Sequence, residues 1–121
     1  MNLHTLCVLI VGLTVAGCAT TQVENPNCAG VNRWATSMAF VHLRNAGITN
    51  NDRLDVEKTK SVRLASEKTG NDLYRQLHLV TFTEKSGNII DVITSNDASS
   101  EECSMSGVTV YVVSRRLGGN Q

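Results

Sequence analysis

Two histidines, His42 and His78, are the residues of this sequence whose type best suits proton transfer. Imidazole titrates near neutral pH, so either side chain has the chemistry of a general base. No Ser, Asp or Glu stands at a spacing that would orient either ring, and the G-x-S-x-G motif of many hydrolases is absent. A histidine on a buried face is more often a hydrogen-bonded core residue, and we expect that role for both. The sequence therefore predicts a protein that is not an enzyme.

The segment of residues 95–107 carries three carboxylates, Asp97, Glu101 and Glu102, in the longest stretch without hydrophobic periodicity. Loops longer than about twelve residues in small domains tend to be functional or disordered. The alternating D-x-D-x-D-G spacing of a calcium loop is missing. Three interpretations stay open: a cation site, a polar loop that contacts another protein, and a solvated connector. We expect no metal and no cofactor, and we take the three acidic residues as candidates for a partner contact.

Length and charge narrow the function classes further. The chain has 121 residues, with 11 Lys and Arg against 11 Asp and Glu, so its formal net charge is zero. Proteins that coat nucleic acid need a basic excess, and a chain with one Trp, two Tyr and two Phe offers few rings for base stacking. We expect one small domain that does not bind nucleic acid.

An apolar segment near the start of the chain leads directly into a cysteine. Residues 6–15 are almost all apolar, and charged residues begin only after Gly17. About ten apolar residues make a helix of roughly 15 Å, which is half the thickness of a bilayer core. Val15, Ala16, Gly17 and Cys18 follow. This combination resembles the signal peptide and lipobox of bacterial lipoproteins, in which small residues precede a cysteine that becomes acylated.

The resemblance implies where the protein resides. Residues 1–17 would be a signal peptide, and Cys18 would become a lipidated amino terminus. Enterobacterial lipoproteins that stay in the inner membrane carry Asp at the next position, so Ala19 implies the outer membrane, with the domain facing the periplasm. We expect residues 18–27 to form a polar tether and residues 28–121 to form a small domain. Several acyl chains would hold the protein on the membrane durably.

The resemblance assigns roles to two of the four cysteines and leaves the other two as a candidate disulfide. Cys7 would leave with the signal peptide and Cys18 would take the lipid, which leaves Cys28 and Cys103. An even pair in an oxidising compartment predicts one disulfide. Free thiols and a catalytic thiol are the alternatives. The absence of C-x-x-C spacing argues against zinc.

Residues 31–46 have the hydrophobic spacing of an amphipathic helix. At about 100° per residue, the side chains expected on its buried face form one stripe. They are Val31, Trp34, Ala35, Met38, Val41 and His42. We expect Trp34 and Met38 to make the main core contacts, and Gly47 to end the helix with a positive φ.

Four later segments, residues 60–66, 73–83, 89–94 and 108–114, are predicted as strands because they are rich in β-branched or alternating apolar residues. Residues 84–88 contain Gly87 and suit a hairpin connection. In residues 73–83, alternation places two sets of side chains on opposite faces. One face has Leu73, Leu77 and Leu79, and the other has Tyr74, His78, Val80 and Phe82. The sequence therefore predicts an α+β fold, with one N-terminal amphipathic helix packed on a three- to four-stranded antiparallel sheet and one disulfide.

Phe40 does not fit the helix stripe. It falls on the polar side of the helical wheel, near Arg33, Ser37 and Arg44. A large ring on a polar face indicates a contact surface for a partner, a second covering layer, or a helix whose buried face is rotated from the predicted one.

We expect a non-enzymatic outer-membrane lipoprotein that presents a small protein-binding domain to the periplasm. Envelope-complex assembly and immunity against a toxin or lytic enzyme are its two candidate roles. The expected partners are the membrane, through the lipid, and another envelope or toxin protein. The alternative is a small periplasmic hydrolase or ligand-binding lipoprotein that uses His42 or His78 with the acidic segment 95–107.

Overall fold

The computed structural model describes residues 25–114 and Leu117. One α-helix and four strands make up this part of the chain. They are α1 (Trp34–Asn45), β1 (Lys60–Gly70), β2 (Leu73–Thr83), β3 (Ile89–Ala98) and β4 (Thr109–Val113). The strands pair antiparallel with their sequence neighbours, in the order β1-β2-β3-β4. The fold is α+β, as predicted.

The two central strands carry the alternation that builds the core. In β2 the predicted bounds are correct, and Tyr74, His78, Val80 and Phe82 are buried on one face as predicted. In β3 every second residue from Ile90 to Ala98 is buried, so this strand runs four residues beyond its predicted end. The predicted loop 95–107 is therefore wrong in its first part, and Asp97 lies on a strand. The next buried residue after Thr94 is the polar Asn96, so hydrophobic spacing alone does not extend the strand beyond Thr94.

The two outer strands differ from their predicted bounds. Strand β1 continues to Gly70, and its pairing with β2 shifts register between Arg63 and Ala65 and between Lys68 and Gly70. Such shifts are β-bulges, which bend a strand locally. Strand β4 is short and pairs with the first part of β3, from Asp91 to Ser95.

Helix α1 ends as the sequence predicts. Gly47 has φ 73°, its N–H donates to the Arg44 carbonyl at 3.0 Å, and the Ile48 N–H donates to the Leu43 carbonyl at 3.0 Å. This pair of bonds is the Schellman motif, which glycine favours because it has no Cβ.

The buried face of α1 is not the predicted stripe. Ala35, Thr36, Ala39 and Leu43 are buried, whereas His42 is exposed. Trp34 and Met38 are only half-buried, so they are not the main core contacts. The observed face is rotated by roughly a third of a turn from the predicted one. Small side chains allow a helix to approach a sheet closely, but they contribute little hydrophobic signal to a sequence pattern.

The main core lies between α1 and the sheet. Its buried members are Ala39, Leu43, Leu54, Val80, Phe82, Ile90 and Val92. Phe40 and Val110 are partly buried against it. We call the opposite side of the sheet the open face, because its side chains on β2 and β3 are half-buried or exposed.

The disulfide between Cys28 and Cys103 is present, which confirms the predicted pairing. Cys28 lies just before α1 and is buried, and Cys103 lies in the connection from β3 to β4. Beside it, the Gln76 side chain donates to the Pro26 carbonyl at 2.6 Å, and Asn96 Nδ2 donates to the Cys103 carbonyl at 2.9 Å. The bond therefore joins the segment before the helix to the far end of the sheet.

Candidate functional site

A groove of about 350 Å³ lies between α1 and the chain that follows it. Its apolar lining comes from Val31, Phe40, Val41, Leu54, Val56 and Phe82. Its polar lining consists of amides and hydroxyls, among them Asn32, Ser37, Asn51 and Thr59. Among the described residues that line the groove, none is ionisable. The groove can accept apolar groups and hydrogen-bonding groups, and it supplies no acid or base. We call it the Phe40 groove.

The wall opposite α1 is held by backbone hydrogen bonds to the end of β2. The Asp55 N–H donates to the Thr83 carbonyl at 2.9 Å, and the Lys85 N–H donates to the Arg53 carbonyl at 2.8 Å. These bonds frame Leu54, which is buried and forms a bridge with Glu84. A 3₁₀ turn over Val56–Lys58 follows and places Val56 at the mouth of the groove, 58% exposed.

A buried carboxylate, Glu84, fixes this wall. Its side chain is 2% exposed and accepts hydrogen bonds from Asn88 Nδ2 at 2.8 Å, Thr49 Oγ1 at 3.0 Å and Arg53 Nη2 at 3.1 Å. Arg53 Nε also forms an ion pair with it at 2.8 Å. The hydrogen bond from Asn88 lowers the pKa of Glu84 most. The hydrogen bond from Thr49 and the charge and hydrogen bond of Arg53 lower this pKa further, whereas burial raises it. The group therefore stays ionised and ties the segment after α1 to the hairpin after β2.

Sequence reasoning missed Glu84. The sequence predicts a hairpin connection at this position, where a glutamate is ordinarily solvated. Its partners Thr49 and Arg53 lie more than 30 positions earlier in the chain. No local spacing signals such a cluster, because folding alone brings these residues together.

Phe40 lies at the edge of the helix's buried face. Its ring is tilted against that of Phe82, with 6.5 Å between centroids, and the Arg44 guanidinium carbon lies 5.7 Å from the Phe40 centroid. The ring thus contacts the core on one side, a cation on another, and the groove on a third. Of the three sequence interpretations, a rotated helix explains its position on the wheel, and its place in the groove leaves a partner contact as a proposal.

The two histidines do not meet. His42 is exposed on α1. His78 has no exposed surface and lies on the face of the sheet that packs against α1. Neither ring nitrogen of His78 has a hydrogen-bond partner among the described groups. Burial lowers the pKa of His78, and the nearby charge of Arg63 lowers it further. His78 is therefore a buried core residue as expected, but the expected hydrogen bonds are absent, and the expectation that His42 is buried is wrong.

The three acidic residues Asp97, Glu101 and Glu102 do not come together at one site. Asp97 Oδ1 pairs with Arg75 Nε at 2.6 Å, and this hydrogen bond raises the pKa of Arg75. Glu101 and Glu102 are exposed in the following loop, where Glu102 accepts a hydrogen bond from Ser104 Oγ at 2.6 Å. In residues 25–114 no group of three or more His, Cys, Asp or Glu side chains could hold a metal ion.

The predicted contact residues do not form one surface. Phe40 packs beside Phe82, which pairs with Ile90 near the start of β3. Asp97 is seven residues further along β3, about 24 Å away at 3.4 Å per residue, and its side chain is on the open face. The Phe40 groove and the acidic loop are therefore separate features of the molecule.

The open face has one apolar row that crosses all four strands. The pairing register aligns Val62, Leu79, Ile93 and Tyr111 on β1, β2, β3 and β4. Successive side chains on β2 lie on opposite faces of the sheet. Val80 is in the core on the side of α1, so Leu79 and the rest of this row lie on the side away from α1. Tyr111, at one end of the row, is 59% exposed.

Cys18, the predicted lipidation site, lies outside the described residues. Within the described part of the chain, no helix has the length and hydropathy that a membrane crossing needs.

Comparison of the chain with protein-family models, with curated proteins and with solved structures found no match.

Proposed function

We propose that this chain is an outer-membrane lipoprotein, anchored through acylated Cys18, whose disulfide-bonded domain binds another protein of the envelope. In this proposal residues 1–17 are a signal peptide, residues 18–27 are the tether, and α1 is the amphipathic first element of the mature domain. The domain works by binding and not by catalysis. The support for the anchor is the lipobox-like sequence that ends at Cys18.

The Phe40 groove carries the proposal of protein binding. Its volume of about 350 Å³ is at the small end of ligand sites, which span roughly 300–1,000 Å³. A charged ligand would lose its hydration there without gaining an ion pair, since the lining has no charge. The occupant that fits is a protein segment with large apolar side chains. Amides and hydroxyls at the rim can hydrogen-bond the backbone of that segment.

Of the two candidate roles, the groove favours assembly of an envelope complex. An assembly factor receives a segment of its partner, whereas an inhibitor usually inserts a rigid loop into the cleft of a lytic enzyme. The candidate inhibitory loop is shorter than the sequence predicted, because residues 95–98 belong to β3. The hydrolase alternative has less support, because His42 is exposed, His78 is buried, and neither lines the Phe40 groove.

The anchor is tested with the full chain expressed in a Gram-negative host. We expect the intact mass of the protein from the outer-membrane fraction to show loss of residues 1–17 and addition of acyl chains. Cys18→Ser should abolish both changes. An unprocessed, unacylated chain in the soluble fraction would overturn this part of the proposal.

The groove is tested by a photocrosslinking amino acid at position 56, with position 62 as the control. Val56 is 58% exposed at the groove, and Val62 is 57% exposed on the open face, so the two sites differ in location and not in accessibility. We expect a crosslinked adduct from position 56 alone. Sequencing of the adduct should locate a partner segment with several large apolar residues.

A substitution at the rim gives the second half of this test. Ser37 is exposed and lines the groove, so Ser37→Glu should lower the adduct yield about tenfold or more, while the neutral Ser37→Gln leaves most of it. Unfolding midpoints of both variants should match that of the wild type. Equal adducts from positions 56 and 62, or a partner segment without apolar residues, would contradict binding at the groove.

A further inference from the structure

The two outer strands of the sheet have opposite chemical character. Strand β1 carries Lys60, Arg63, Glu67 and Lys68 and two bulges. Charges and bulges on an outer strand discourage pairing with another strand. Strand β4 has the sequence TVYVV, with no charge, no proline and no glycine. Only β4 therefore presents an edge without the features that protect against strand addition.

The outer backbone edge of β4 has no partner in the part of the chain that the structure describes. Apart from its ladder with β3, no described backbone group hydrogen-bonds to residues 109–113. The side chains beside this edge are apolar on both faces of the sheet. Tyr111 is 59% exposed on the open face, and Val112 is 47% exposed on the helix side. An added strand would cover both.

A shallow apolar groove runs along the helix side of this edge. It has a volume of about 370 Å³, and its apolar lining includes Leu43, Ile48, Val110 and Val112. Side chains of an added strand that point to the helix side would enter this space. The edge thus offers hydrogen bonds in the plane of the sheet and apolar contacts on each side.

From this geometry we infer that β4 pairs with the β4 of a second copy of this chain, antiparallel and two-fold symmetric about Tyr111, and forms a continuous eight-stranded sheet. In a two-fold interface the same strand supplies both sides, so residue i of one copy meets residue j of the other, and like charges at such positions carry a repulsion penalty. The uncharged β4 meets itself without that penalty. Strand β1 is less suited to the same pairing, because its two bulges interrupt a regular edge.

The register follows from the length of the strand. Tyr111 is the middle residue of Thr109–Val113, so a two-fold axis at Tyr111 is the one that pairs all five residues. It places Val110 opposite Val112 of the other copy and Thr109 opposite Val113. It also brings the two Tyr111 side chains together, so that the apolar row on the open face of one copy continues into that of the other copy.

The expected dimer is weak. Five residues per edge bury less than the roughly 1,200–2,000 Å² of a standard stable interface. Dissociation should therefore occur at low protein concentration. Confinement of both copies to one membrane would raise their effective concentration, and this last point alone rests on the proposed anchor.

Cysteine crosslinking in the full chain tests the pairing. Tyr111→Cys should form an intermolecular disulfide in the purified full chain, visible as a dimer band that reductant removes. Val62→Cys, equally exposed on β1, should give several-fold less. Equal bands from the two positions, or no band from position 111, would overturn the inference.

A charge substitution tests the same contact by equilibrium sedimentation of the full chain in detergent. Tyr111→Lys places two like charges on the axis and should give a monomer at concentrations where the wild type dimerises. Tyr111→Thr keeps β-propensity without charge and should retain most of the dimer. Far-ultraviolet circular dichroism checks that both variants fold. A folded Tyr111→Lys that dimerises like the wild type would also refute the pairing, and this result would leave binding at the Phe40 groove untouched.

Discussion

The side of the sheet that faces α1 has two halves of opposite character. In one half, the cross-strand pairs Val80–Val92 and Phe82–Ile90 pack against Leu43 and other core residues. In the other half, the pairs are Gln76–Asn96 and His78–Thr94. All eight of these strand residues are buried. In these four pairs the sheet therefore buries as many polar residues as apolar ones.

The polar half is incompletely hydrogen-bonded. Gln76 and Asn96 donate to the backbone of Pro26 and Cys103, but Gln76 Oε1, Asn96 Oδ1, Thr94 Oγ1 and both nitrogens of His78 have no partner among the described groups. A buried polar atom without a partner costs about 1–3 kcal/mol. The apolar half is thus stabilised by packing, whereas the polar half needs another source of stability. We expect the Cys28–Cys103 disulfide, which lies beside Gln76 and Asn96, to supply it.

Removal of the disulfide should have the largest effect on stability among the tests of this comparison. On the chain-entropy account, closing a loop of 75 residues stabilises a fold by about 4 kcal/mol. We expect Cys28→Ala with Cys103→Ala to lower the free energy of unfolding by about that amount in denaturant titrations. Hydrogen exchange should accelerate most around Gln76 and Asn96.

The apolar half provides the matched control. Leu43→Ala should cost about 3 kcal/mol through the cavity it leaves, with exchange accelerated around Val80 and Val92 instead. The same exchange pattern in both variants would show that the two halves unfold as one unit and would break the comparison.

The alternation of β2 and the disulfide are the parts of the fold that the sequence predicts best. Alternation in β2 gives the bounds of that strand and the buried set Tyr74, His78, Val80 and Phe82. The disulfide follows from counting cysteines once the lipobox resemblance removes Cys7 and Cys18. Both inferences use signals that are local in the sequence or independent of the fold.

The polar half and the Phe40 groove could not be predicted in this way. Asn96 belongs to the buried face, yet it lies among polar residues that are typical of a loop, so the sequence predicts the end of β3 at Thr94, four residues too early. Three of the four buried helix residues, Ala35, Thr36 and Ala39, are small. A hydrophobic pattern therefore gives more weight to Trp34 and Met38, which are only half-buried. The groove depends on that rotation and on the burial of Glu84, which is decided by partners distant in sequence.

His78 gives a second test, through pH. Its pKa is lowered in the folded protein, chiefly by burial, so the unfolded chain takes up a proton first as the pH falls below the ordinary value of 6.5. Stability should therefore be complete above that pH and should decline on acidification, by up to about 1.4 kcal/mol per pH unit, until the folded protein is protonated too. His78→Leu should remove this decline and leave the protein at least as stable at pH 5.5 as at pH 7. If the two proteins show parallel stability profiles between pH 7 and pH 5, His78 is not the group that makes this half acid-sensitive.

Glu84, at the apolar end, is a buried ionisable group of the opposite kind, because every oxygen of its carboxylate has partners. Its pKa is lowered below the ordinary value of 4.5, so the stability it contributes is present above that value and is lost as the pH falls through its folded-state pKa. Glu84→Gln should flatten the stability profile below pH 4.5 and leave the decline from pH 6.5 unchanged. At pH 7 we expect Glu84→Gln to lower stability by less than removal of the disulfide or Leu43→Ala does, because the Arg53 side chain is 53% exposed and water can solvate its charge when the carboxylate is gone. Denaturant titrations at pH 7, 5.5 and 3.5 separate the two windows, and a Glu84→Gln variant that alters the upper window would show that the two ends of the sheet are electrostatically coupled.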